Sequence, residues 1–433
     1  MTQGEFLSNF IDPKERDILV NNDFFKRVKI PLSNIEQTIF IREKGLDGIL
    51  VKSANGESQI LPYLVPVKSI PFNDNEFQPE DTRPLCLFVG IFAPTFDSTF
   101  MVRGFEENGY RVEVMDWQKI KFQATVEITE VVKKEGTEDE YEEVKVKQDG
   151  VAVLQDALIK KALKEKPDLI FLHIQSENIL NTLVVDQLQR IADTVIYNFD
   201  CRSKEKTQWL YDLVPYVKLV CFSNIDDAVA CRNKGNYNVM VLQSSADYDV
   251  YKPLPNKKSI PDEFKHDIVF VGNRYDNTNM EFPEAKARTE MVEFLQNEYG
   301  DKFKAWGMGW KYSRLVNKQE EVMIYNGCKI AITQNNFNRA EYQSDRIYRI
   351  MGCGAFALMQ HFPNANLYFN NDVAAAWLDL PMLKSQIDRY LEDEELREQK
   401  AFLGSRFVRE KHSWFDRVKQ LMIALRNVKK DSI

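Results

Sequence analysis

The stretch EYQSDRIYRIMGCGAFALMQ, residues 341–360, runs from a polar loop through an amphipathic segment into an apolar run. Ser344 or Asp345 can cap a helix, because a short polar side chain accepts hydrogen bonds from the free amides at a helix start. Apolar side chains then recur at helical spacing, at Ile347, Ile350 and Met351. The Gly-Cys-Gly that follows turns the chain tightly. The stretch therefore predicts a helix that packs on a sheet and leads into a buried strand.

Strands and helices alternate over most of the chain around this stretch. Apolar runs typical of buried parallel strands precede it at 266–272, 302–309 and 329–334. Similar runs occur earlier, at 85–90, 110–117, 168–174, 194–199, 218–223 and 239–243. Helical segments of about 10 to 15 residues lie between them, which is the pattern of βαβ units. The sequence therefore predicts an α/β protein built on two parallel sheets.

The domain boundaries follow changes in this rhythm. Residues 1–80 alternate apolar and polar side chains between turn residues, which predicts a small β-rich module. Residues 81–250 form a first Rossmann-like domain, interrupted at 123–149 by an acidic β-hairpin insertion. After a Pro- and Lys-rich linker at 248–263, residues 251–433 form a second such domain that ends in charged helices. Two doubly wound domains facing a cleft place the ligand at the carboxyl ends of the strands.

Composition bounds the partners and the setting. The 433 residues carry a net charge of −8, which disfavours non-specific binding to nucleic acid or to anionic membranes. The six cysteines form no C-x-x-C pair and indicate reduced thiols, and the four histidines are too scattered for a metal site. No signal peptide and no apolar run of about 18 residues occurs. We therefore expect a cytoplasmic protein, of a bacterium or a phage-infected host, with no metal and no membrane partner.

The helix start near Ser344 is the strongest candidate for an anion site. The first turn of a helix presents free N–H groups and a partial positive charge, so it suits a diphosphate. Arg346 and Arg349 are three residues apart and share one helix face, where they would add charge to that site. We expect Ser344, Asp345, Arg346 and Arg349 to bind the phosphates. The alternative is a surface helix with two solvated arginines.

Two glycine-bearing turns at strand ends are weaker candidates. Gly272, Asn273 and Arg274 follow the run 266–271, and a glycine there permits close approach of the backbone to a ligand. Arg274 can form charge-assisted bonds to phosphate. The chain contains no Walker A motif and no G-x-G-x-x-G motif, so ATPase and dehydrogenase functions lose support.

The second turn is AWGMGW, residues 305–310. Gly307, Met308 and Gly309 would let a base or a pyrophosphate lie against the backbone, and Trp306 or Trp310 would stack on the base. A tight turn with tryptophans in the core is the equally acceptable alternative.

These motifs, taken in order, resemble the group 1 glycosyltransferases of the spore-maturation type, which have the GT-B fold. The order is strand-Gly-Asn-Arg, Arg288-x-Glu290, G-x-G-W, S-x-R-x-x-R-x-x-G-C-G and His412-Ser-Trp-Phe-x-Arg417. The resemblance covers about residues 265–420. It implies that the C-terminal domain holds a nucleoside diphosphate sugar, that Glu341 contacts the donor sugar, and that Glu341 opens an E-x7-E pattern. Arg349 stands where the second glutamate would hold the ribose, so donor identity stays open.

The same resemblance suggests where the acceptor binds. The loop Ile91–Ser98, with Pro94 and Thr95, lies where the acceptor or phosphate loop of such a fold would be. His173 ends a strand and is a candidate acceptor contact, although a lone histidine there is more often structural. Asp200 also ends a strand, beside Arg202, and either acts as a base on the acceptor or pairs with that arginine. Asp200, His173 and Glu341 are therefore the predicted catalytic residues.

The sequence thus predicts a glycosyltransferase that uses a nucleoside diphosphate sugar, expected to be UDP-linked, with no other cofactor. Positive side chains and a helix start stabilise a leaving diphosphate without a metal, and the resemblance implies retention of configuration. The acceptor is a glycan, a small metabolite, or a hydroxymethylated DNA base, as in phage-type DNA modification; a duplex would require base flipping. The alternatives are a non-catalytic nucleotide-sugar-binding protein and a nucleotide-sugar epimerase.

Overall fold

The computed structural model describes residues 28–43, 46–56, 58–62, 82–93, 96–133, 141–148, 150–200, 204–276, 282–311 and 313–430. A first compact unit ends at Thr82. Its strands β1 (Ile35–Glu43), β2 (Leu46–Ser53) and β3 (Ser58–Pro62) form an antiparallel sheet in the order β1-β2-β3. This sheet confirms the small β-rich module that alternation predicts.

The second compact unit, Arg83–Ile433, contains two parallel sheets. The strands of its first half are β4 (Leu85–Gly90), β5 (Arg111–Asp116), β6 (Val126–Lys133), β7 (Tyr141–Gln148), β8 (Leu169–His173), β9 (Asp193–Asn198), β10 (Leu219–Phe222) and β11 (Val239–Val241). Six of them form a parallel sheet in the order β11-β10-β9-β8-β4-β5. Among the described strands, β6 and β7 pair with each other alone, as an antiparallel hairpin inside the predicted insertion.

Six helices accompany this first sheet: α1 (Ser98–Glu107), α2 (Trp117–Ala124), α3 (Val151–Glu165), α4 (Thr182–Ile191), α5 (Lys204–Leu213) and α6 (Ile225–Asn233). Asn181 and Asn224 cap α4 and α6 through their side-chain oxygens. Strands β4 and β8 are buried along their whole length, because helices cover both faces of the sheet.

The second half contains β12 (Ile268–Val271), β13 (Phe303–Trp306), β14 (Ile330–Thr333), β15 (Phe356–Gln360) and β16 (Ala375–Trp377). They form a parallel sheet in the order β13-β12-β14-β15-β16. Its helices are α7 (Ala285–Tyr299), α8 (Lys318–Gly327), α9 (Asp345–Gly352) and α10 (Leu380–Glu392). Two parallel sheets with helices between their strands confirm the predicted α/β architecture.

Local sequence explains where the two helices nearest the second sheet's strand ends begin. Asn317 and Glu320 form a capping box at the start of α8, each side chain bonding the other residue's amide. Ser344 caps α9, as predicted, by accepting a hydrogen bond from the Arg346 amide. These caps therefore fix where both helices start.

The last two helices, α11 (Glu394–Lys411) and α12 (Trp414–Lys430), complete the chain's path. Helix α12 returns to the first half and packs along α1. The two helices approach closely, since a Cβ on Gly104 would lie 2.8 Å from the Trp414 carbonyl oxygen. One hydrophobic cluster is continuous between the halves and includes Phe105 of α1, Tyr197 of β9, Tyr348 of α9 and Trp414 of α12.

Candidate functional site

The loops that follow β12 and β13 are joined by backbone hydrogen bonds. The Gly272 amide donates to the Trp306 carbonyl (2.8 Å), and the Arg274 amide donates to the Met308 carbonyl (2.9 Å). The Met308 amide in turn donates to Oδ1 of Asn273 (2.9 Å). The two predicted turns therefore form one platform at the carboxyl ends of adjacent strands.

Two glycines make this close approach possible. Gly307 has φ of 135°, and a Cβ there would lie 2.4 Å from the Gly272 carbonyl oxygen. Gly309 has φ of 86°, and a Cβ there would lie 2.9 Å from Cβ of Arg274. Both positions exclude a side chain through backbone conformation and through space. The glycines thus let the two loops approach each other; the predicted approach of a base or a pyrophosphate to Gly307 and Gly309 stays a prediction.

Two side chains predicted to bind the donor instead support the platform. Trp310 is buried, and its indole Nε1 donates to the Gly272 carbonyl (2.6 Å). Arg274 pairs with Asp276 (2.7 Å), and its guanidinium lies 5.9 Å from the centre of the Trp310 ring. Trp306 is the tryptophan that lines the adjoining pocket.

A buried arginine, Arg288, supports the platform from beneath. Arg288 of α7 is fully buried and donates to the carbonyls of Asn273 (3.2 Å) and Gln334 (3.1 Å). Burial, with a smaller effect of the Arg346 charge, lowers the pKa of Arg288 to about 9. Its only signal in the sequence is the Arg288-x-Glu290 spacing, which identifies a helix motif without revealing its burial.

A pocket of about 150 Å³ opens beside the platform. Its lining combines the platform with α8, α9 and the segment before α8: Val271, Gly272, Asn273, Trp306, Gly307, Leu315, Val316, Lys318, Glu321, Arg346 and Arg349. Three cationic side chains and one carboxylate share this small space. The geometry suits an anion held between the platform and the start of α9.

Arg346 is the cation with the most bonding capacity left. Its Nη1 donates to Oγ of Ser344 at 3.0 Å, and its Nε would lie 3.6 Å from a Cβ placed on Gly272. Within the described part of the chain, no ion pair joins Arg346 to a carboxylate. The predicted position of Arg346, at a helix start behind the glycine turn, agrees with this placement.

Arg349 also lines the pocket, but carboxylates surround its guanidinium. It pairs with Asp97 (2.9 Å), Glu321 (3.1 Å) and Asp345 (2.5 Å) and lies over the Tyr251 ring. Burial favours loss of its proton, but the three carboxylates outweigh burial and raise the pKa of Arg349 well above its usual value. Its Nε is buried and has no hydrogen-bond partner among the described residues. Asp345 therefore belongs to this ion cluster.

Lys318 is a second cation that sequence reasoning missed. It is the first residue of α8, and its Nζ donates to the Phe96 carbonyl (2.6 Å), lies 3.7 Å from Asp97 and sits 3.9 Å above the Phe100 ring. These partners lie more than 200 residues earlier in the chain, so no local pattern reveals them. Burial lowers the pKa of Lys318.

Glu341 lies in the loop between β14 and α9, where several hydrogen bonds hold it. Its carboxylate accepts hydrogen bonds from Tyr368 (2.6 Å) and Asn364 (3.3 Å), and its carbonyl accepts one from Gln243 (2.7 Å). The backbone at Glu341 has φ of 65°, an unusual value for a residue other than glycine. Outliers of this kind often occur at functional sites.

The predicted acceptor residues of the first half are only partly described. Pro94, Thr95 and Arg202 lie outside the described residues. His173 is buried, stacks on Tyr197 and lies near Ser98 (3.5 Å) and Gln175 (3.0 Å). Burial lowers the pKa of His173 to about 4, so the imidazole is neutral at pH 7.

Asp200 lies in a separate small pocket at the ends of β8 and β9. The cavity measures about 60 Å³ and is lined by Gln175, Glu177, Asn198, Asp200, Lys206, Thr207 and Trp209. The Asp200 amide donates to Oδ1 of Asn198 (2.8 Å), which fixes the turn after β9. The described residues include no cluster of three or more metal-ligating side chains. No helix among the described residues is long and apolar enough to cross a membrane.

Comparison with known proteins adds two findings. Residues 287–423 match the family model described as glycosyl transferase-like. Comparison with curated protein sequences finds no match. The family segment begins within α7 and ends within α12, and it includes the start of α9 and Lys318.

Solved structures resemble the chain at low sequence identity. HepE from Anabaena, in complex with UDP and glucose, is 12% identical, with a TM-score of 0.55 over 79% of this chain and 100% of its own. Sucrose-phosphate synthase from Thermosynechococcus elongatus is 10% identical, with a TM-score of 0.53 over 81% and 100%. The catalytic domain of starch synthase IV from Arabidopsis thaliana, bound to ADP and acarbose, is 10% identical, with a TM-score of 0.55 over 80% and 99%. The chain thus combines the GT-B fold with a C-terminal glycosyl transferase-like segment, which confirms the predicted glycosyltransferase class.

Proposed function

We propose that the protein transfers a sugar from a nucleoside diphosphate donor whose diphosphate lies in the pocket between the platform and α9. One observation carries the proposal: Arg346 lines this pocket at a helix start with no carboxylate bound to it among the described residues. The Nε of Arg349, which is buried and has no partner among the described residues, is a further donor beside the same pocket. A buried donor without a partner is costly, and an anionic ligand would satisfy it.

The same groups give the reaction its chemistry. Negative charge develops on the diphosphate as the sugar–oxygen bond breaks, and fixed cations and helix amides stabilise that charge without reorganising. Arg346, Lys318 and the first turn of α9 are placed to do so. We therefore propose a metal-independent transfer, with Glu341 contacting the donor sugar.

The nucleoside would extend along the apolar side of the pocket. Trp306, Leu315 and Val316 line that side, and aromatic or apolar surfaces hold bases by stacking. The structural relatives include proteins solved with UDP and glucose, with UDP-glucose, and with ADP. We favour a UDP-linked donor on that support.

For the acceptor, the lining of the Asp200 pocket favours a hydroxyl-rich molecule over a duplex. Among the described lining residues, Glu177 and Asp200 face one cation, Lys206, and carboxylates would repel a phosphate backbone. Carboxylates, amides and a hydroxyl instead match the donors and acceptors of a glycan or small metabolite. A hydroxymethylated DNA base is the alternative acceptor. Retention of configuration, spore-maturation kinship, a phage origin and a cytoplasmic setting are further proposals that rest on resemblance and composition.

A second candidate function is binding of a nucleotide sugar without turnover. The observation that favours it is Arg349, whose charge is balanced by three carboxylates at a position where the resembling family has the glutamate that holds the ribose. An epimerase acting on free donors is a third candidate, and it would need no acceptor.

A ligand panel tests these functions. In a thermal-shift screen, nucleoside diphosphates and nucleotide sugars are expected to raise the melting temperature of the protein, because such ligands bind only the folded state. Release of diphosphate from the best donor, followed over time without acceptor, is expected from slow hydrolysis. If no member of the panel raises the melting temperature, the proposal is contradicted. Stabilisation without release of diphosphate favours the non-catalytic function. Interconversion of free nucleotide sugars favours the epimerase.

A further inference from the structure

An ion cluster joins the two halves of the second compact unit at the edge of the donor pocket. Asp97 comes from the loop between β4 and α1 in the first half, whereas Arg349, Glu321 and Lys318 come from the second half. Both oxygens of the Asp97 carboxylate accept hydrogen bonds from Nη2 of Arg349, at 3.0 and 2.9 Å. The side chains of Asp97 and Arg349 are about nine-tenths buried, at 10% and 12% exposure.

Asp97 does not cap α1 with its side chain, although its position at the helix start favours that role. It stands at the N-cap of α1, where an aspartate ordinarily accepts hydrogen bonds from the helix amides. Its side chain makes no such bond and is directed across the interface to Arg349 and Lys318 instead. Its local role has therefore been replaced by a contact with two cations that line the pocket.

The charges around the pocket balance before any ligand arrives. Arg346, Arg349 and Lys318 supply three positive charges, and Asp97, Glu321 and Asp345 supply three negative charges. A diphosphate adds at least two negative charges beside the same cations. Because buried like charges repel strongly, one carboxylate has to give way.

The bonding of the three carboxylates decides which of them leaves. Glu321 also accepts hydrogen bonds from Tyr251 (2.7 Å) and Tyr325 (2.9 Å), and Asp345 is part of α9 and accepts a bond from Ser344 (3.1 Å). Asp97 has the two cations as its side-chain partners and sits on a loop of the opposite half. All of these contacts cross between the halves, so its departure leaves the described bonds within the second half intact.

We propose that Asp97 is an internal substitute for the ligand anion: it holds Arg349 and Lys318 while the pocket is empty, and a bound diphosphate displaces it. The inference rests on the proposed function, since it takes the diphosphate to bind at this pocket. Displacement releases Asp97 and the start of α1 from the second half. Occupation of the donor pocket therefore changes the first half, which contains the proposed acceptor pocket.

The energetics of the carboxylates agree with this assignment. Burial, reinforced by repulsion from Asp345, raises the pKa of Asp97, although Arg349 and Lys318 oppose the effect. Asp345 is buried too, but the charges of Arg349 and Arg346 outweigh burial and lower its pKa. Of these two carboxylates, Asp97 is thus the one whose charge is stabilised less.

The test compares pyrophosphate binding by the wild type, Asp97→Asn and Asp226→Asn, measured by isothermal titration calorimetry. Asp97→Asn keeps the shape but removes the competing charge, so the dissociation constant of inorganic pyrophosphate is expected to fall about tenfold. Asp226 forms the matched control, because it also pairs with a cation of the other half, Arg339 at 3.8 Å, but lies outside the pocket. A purely structural role for Asp97 predicts unchanged or weaker binding in Asp97→Asn, and that result overturns the inference.

A second measurement uses the wild type alone, so it does not depend on a variant that folds. The amides of Phe100 and Met101 donate to the Asp97 carbonyl at the start of α1. Saturating pyrophosphate is expected to speed their hydrogen exchange if Asp97 is displaced. Slower or unchanged exchange at these amides overturns the inference but leaves the donor site standing. Absence of pyrophosphate binding by both the wild type and Asp97→Asn overturns the proposed site as well.

Discussion

Arg346 and Arg349 stand one helical turn apart, but three carboxylates pair with Arg349, whereas Arg346 has no ion pair among the described residues. Replacement of Arg346 by alanine is expected to weaken binding of UDP by about 1.5–3 kcal/mol, the contribution of a charge-assisted hydrogen bond. Titration calorimetry measures the change. Arg406→Ala, at an exposed position on α11 paired with Glu410, is the control and should bind as the wild type does. Equal affinities for both variants would argue against the anion site.

His173 makes stability depend on pH in a defined window. Its pKa is about 4 in the fold and about 6.5 in an unfolded chain, so the unfolded chain takes up a proton first as pH falls. The contribution of neutral His173 is complete above pH 6.5 and is lost toward pH 4, at about 1.4 kcal/mol per pH unit. His412, whose pKa burial lowers to about 3, acts in the same direction.

The check is urea unfolding at several pH values between about 4.5 and 6.5, the window in which the two states differ in protons bound. His173→Gln is expected to reduce the slope of unfolding free energy against pH by the share of one histidine. His361→Gln, at an exposed position, serves as the control. A slope that is the same in His173→Gln and in the wild type would contradict the assignment.

Spacing in the sequence is sufficient to predict Arg346, because the helix start, the cap Ser344 and the arginine all lie within three residues. It is insufficient for Lys318 and Arg288. The partners of Lys318 are Phe96 and Asp97, and Arg288 is identified by burial under the platform. Such roles depend on contacts between distant segments, which one sequence does not reveal.

At the scale of elements, the platform depends on the glycine at position 307. Gly307→Ala would place a Cβ 2.4 Å from the Gly272 carbonyl oxygen at a backbone angle that alanine rarely adopts. We expect loss of more than about 1 kcal/mol of stability together with weaker donor binding, because the β12 and β13 loops must separate. Chemical denaturation and UDP titration measure the two effects.

Gly109→Ala is the matched control for that substitution. Gly109 also has a positive φ, of 87°, but no atom lies within 4 Å of the position that a Cβ would occupy there. The substitution should therefore cost stability through backbone strain while leaving UDP affinity unchanged. Unchanged affinity in Gly307→Ala as well would show that the two loops do not contribute to the donor site.

Most strands are predictable because they are buried on both faces and occur as short continuous apolar runs, as in β4 and β12. The glycine turn after β13 is also visible in the sequence. The role of its second tryptophan is not, since Trp310 bonds the Gly272 carbonyl 38 residues away. Periodicity identifies elements, whereas the loops between them are fixed by neighbours in space.

At the scale of the whole molecule, Arg349 connects the two halves. Arg349→Met keeps most of the volume but leaves Asp97, Glu321 and Asp345 without their shared cation. Breaking a buried ion pair from one side destabilises a protein by about 3–5 kcal/mol, and we expect a loss of that order at pH 7. The loss should shrink as pH falls, because protonation relieves the unpaired carboxylates.

Denaturant unfolding of Arg349→Met and of the wild type, each at pH 7 and pH 5, measures this difference. Arg339→Ala removes a more exposed bridge between the halves, to Asp226, and is expected to cost less than about 1 kcal/mol. A small, pH-independent effect of Arg349→Met would mean that the cluster does not hold the halves together.

The order of the two parallel sheets along the chain is evident from alternating strands and helices. The return of α12 to the first half is not evident from the sequence, because the apolar pattern of a helix does not identify the surface against which it packs. Its partner α1 lies about 300 residues earlier, and the contact is visible only in the fold, as in the hydrogen bond from Asn108 to the Phe415 carbonyl.

This late closure has a consequence during synthesis. While the ribosome is still synthesising α11, the strands beside α1 have already been made. The side of α1 that Trp414, Val418 and Leu421 cover in the fold is still exposed to solvent. The first half therefore remains an incomplete domain, with an apolar surface exposed to solvent, until α12 emerges. Chaperone capture of nascent chains should accordingly persist until residues 414–430 have left the exit tunnel.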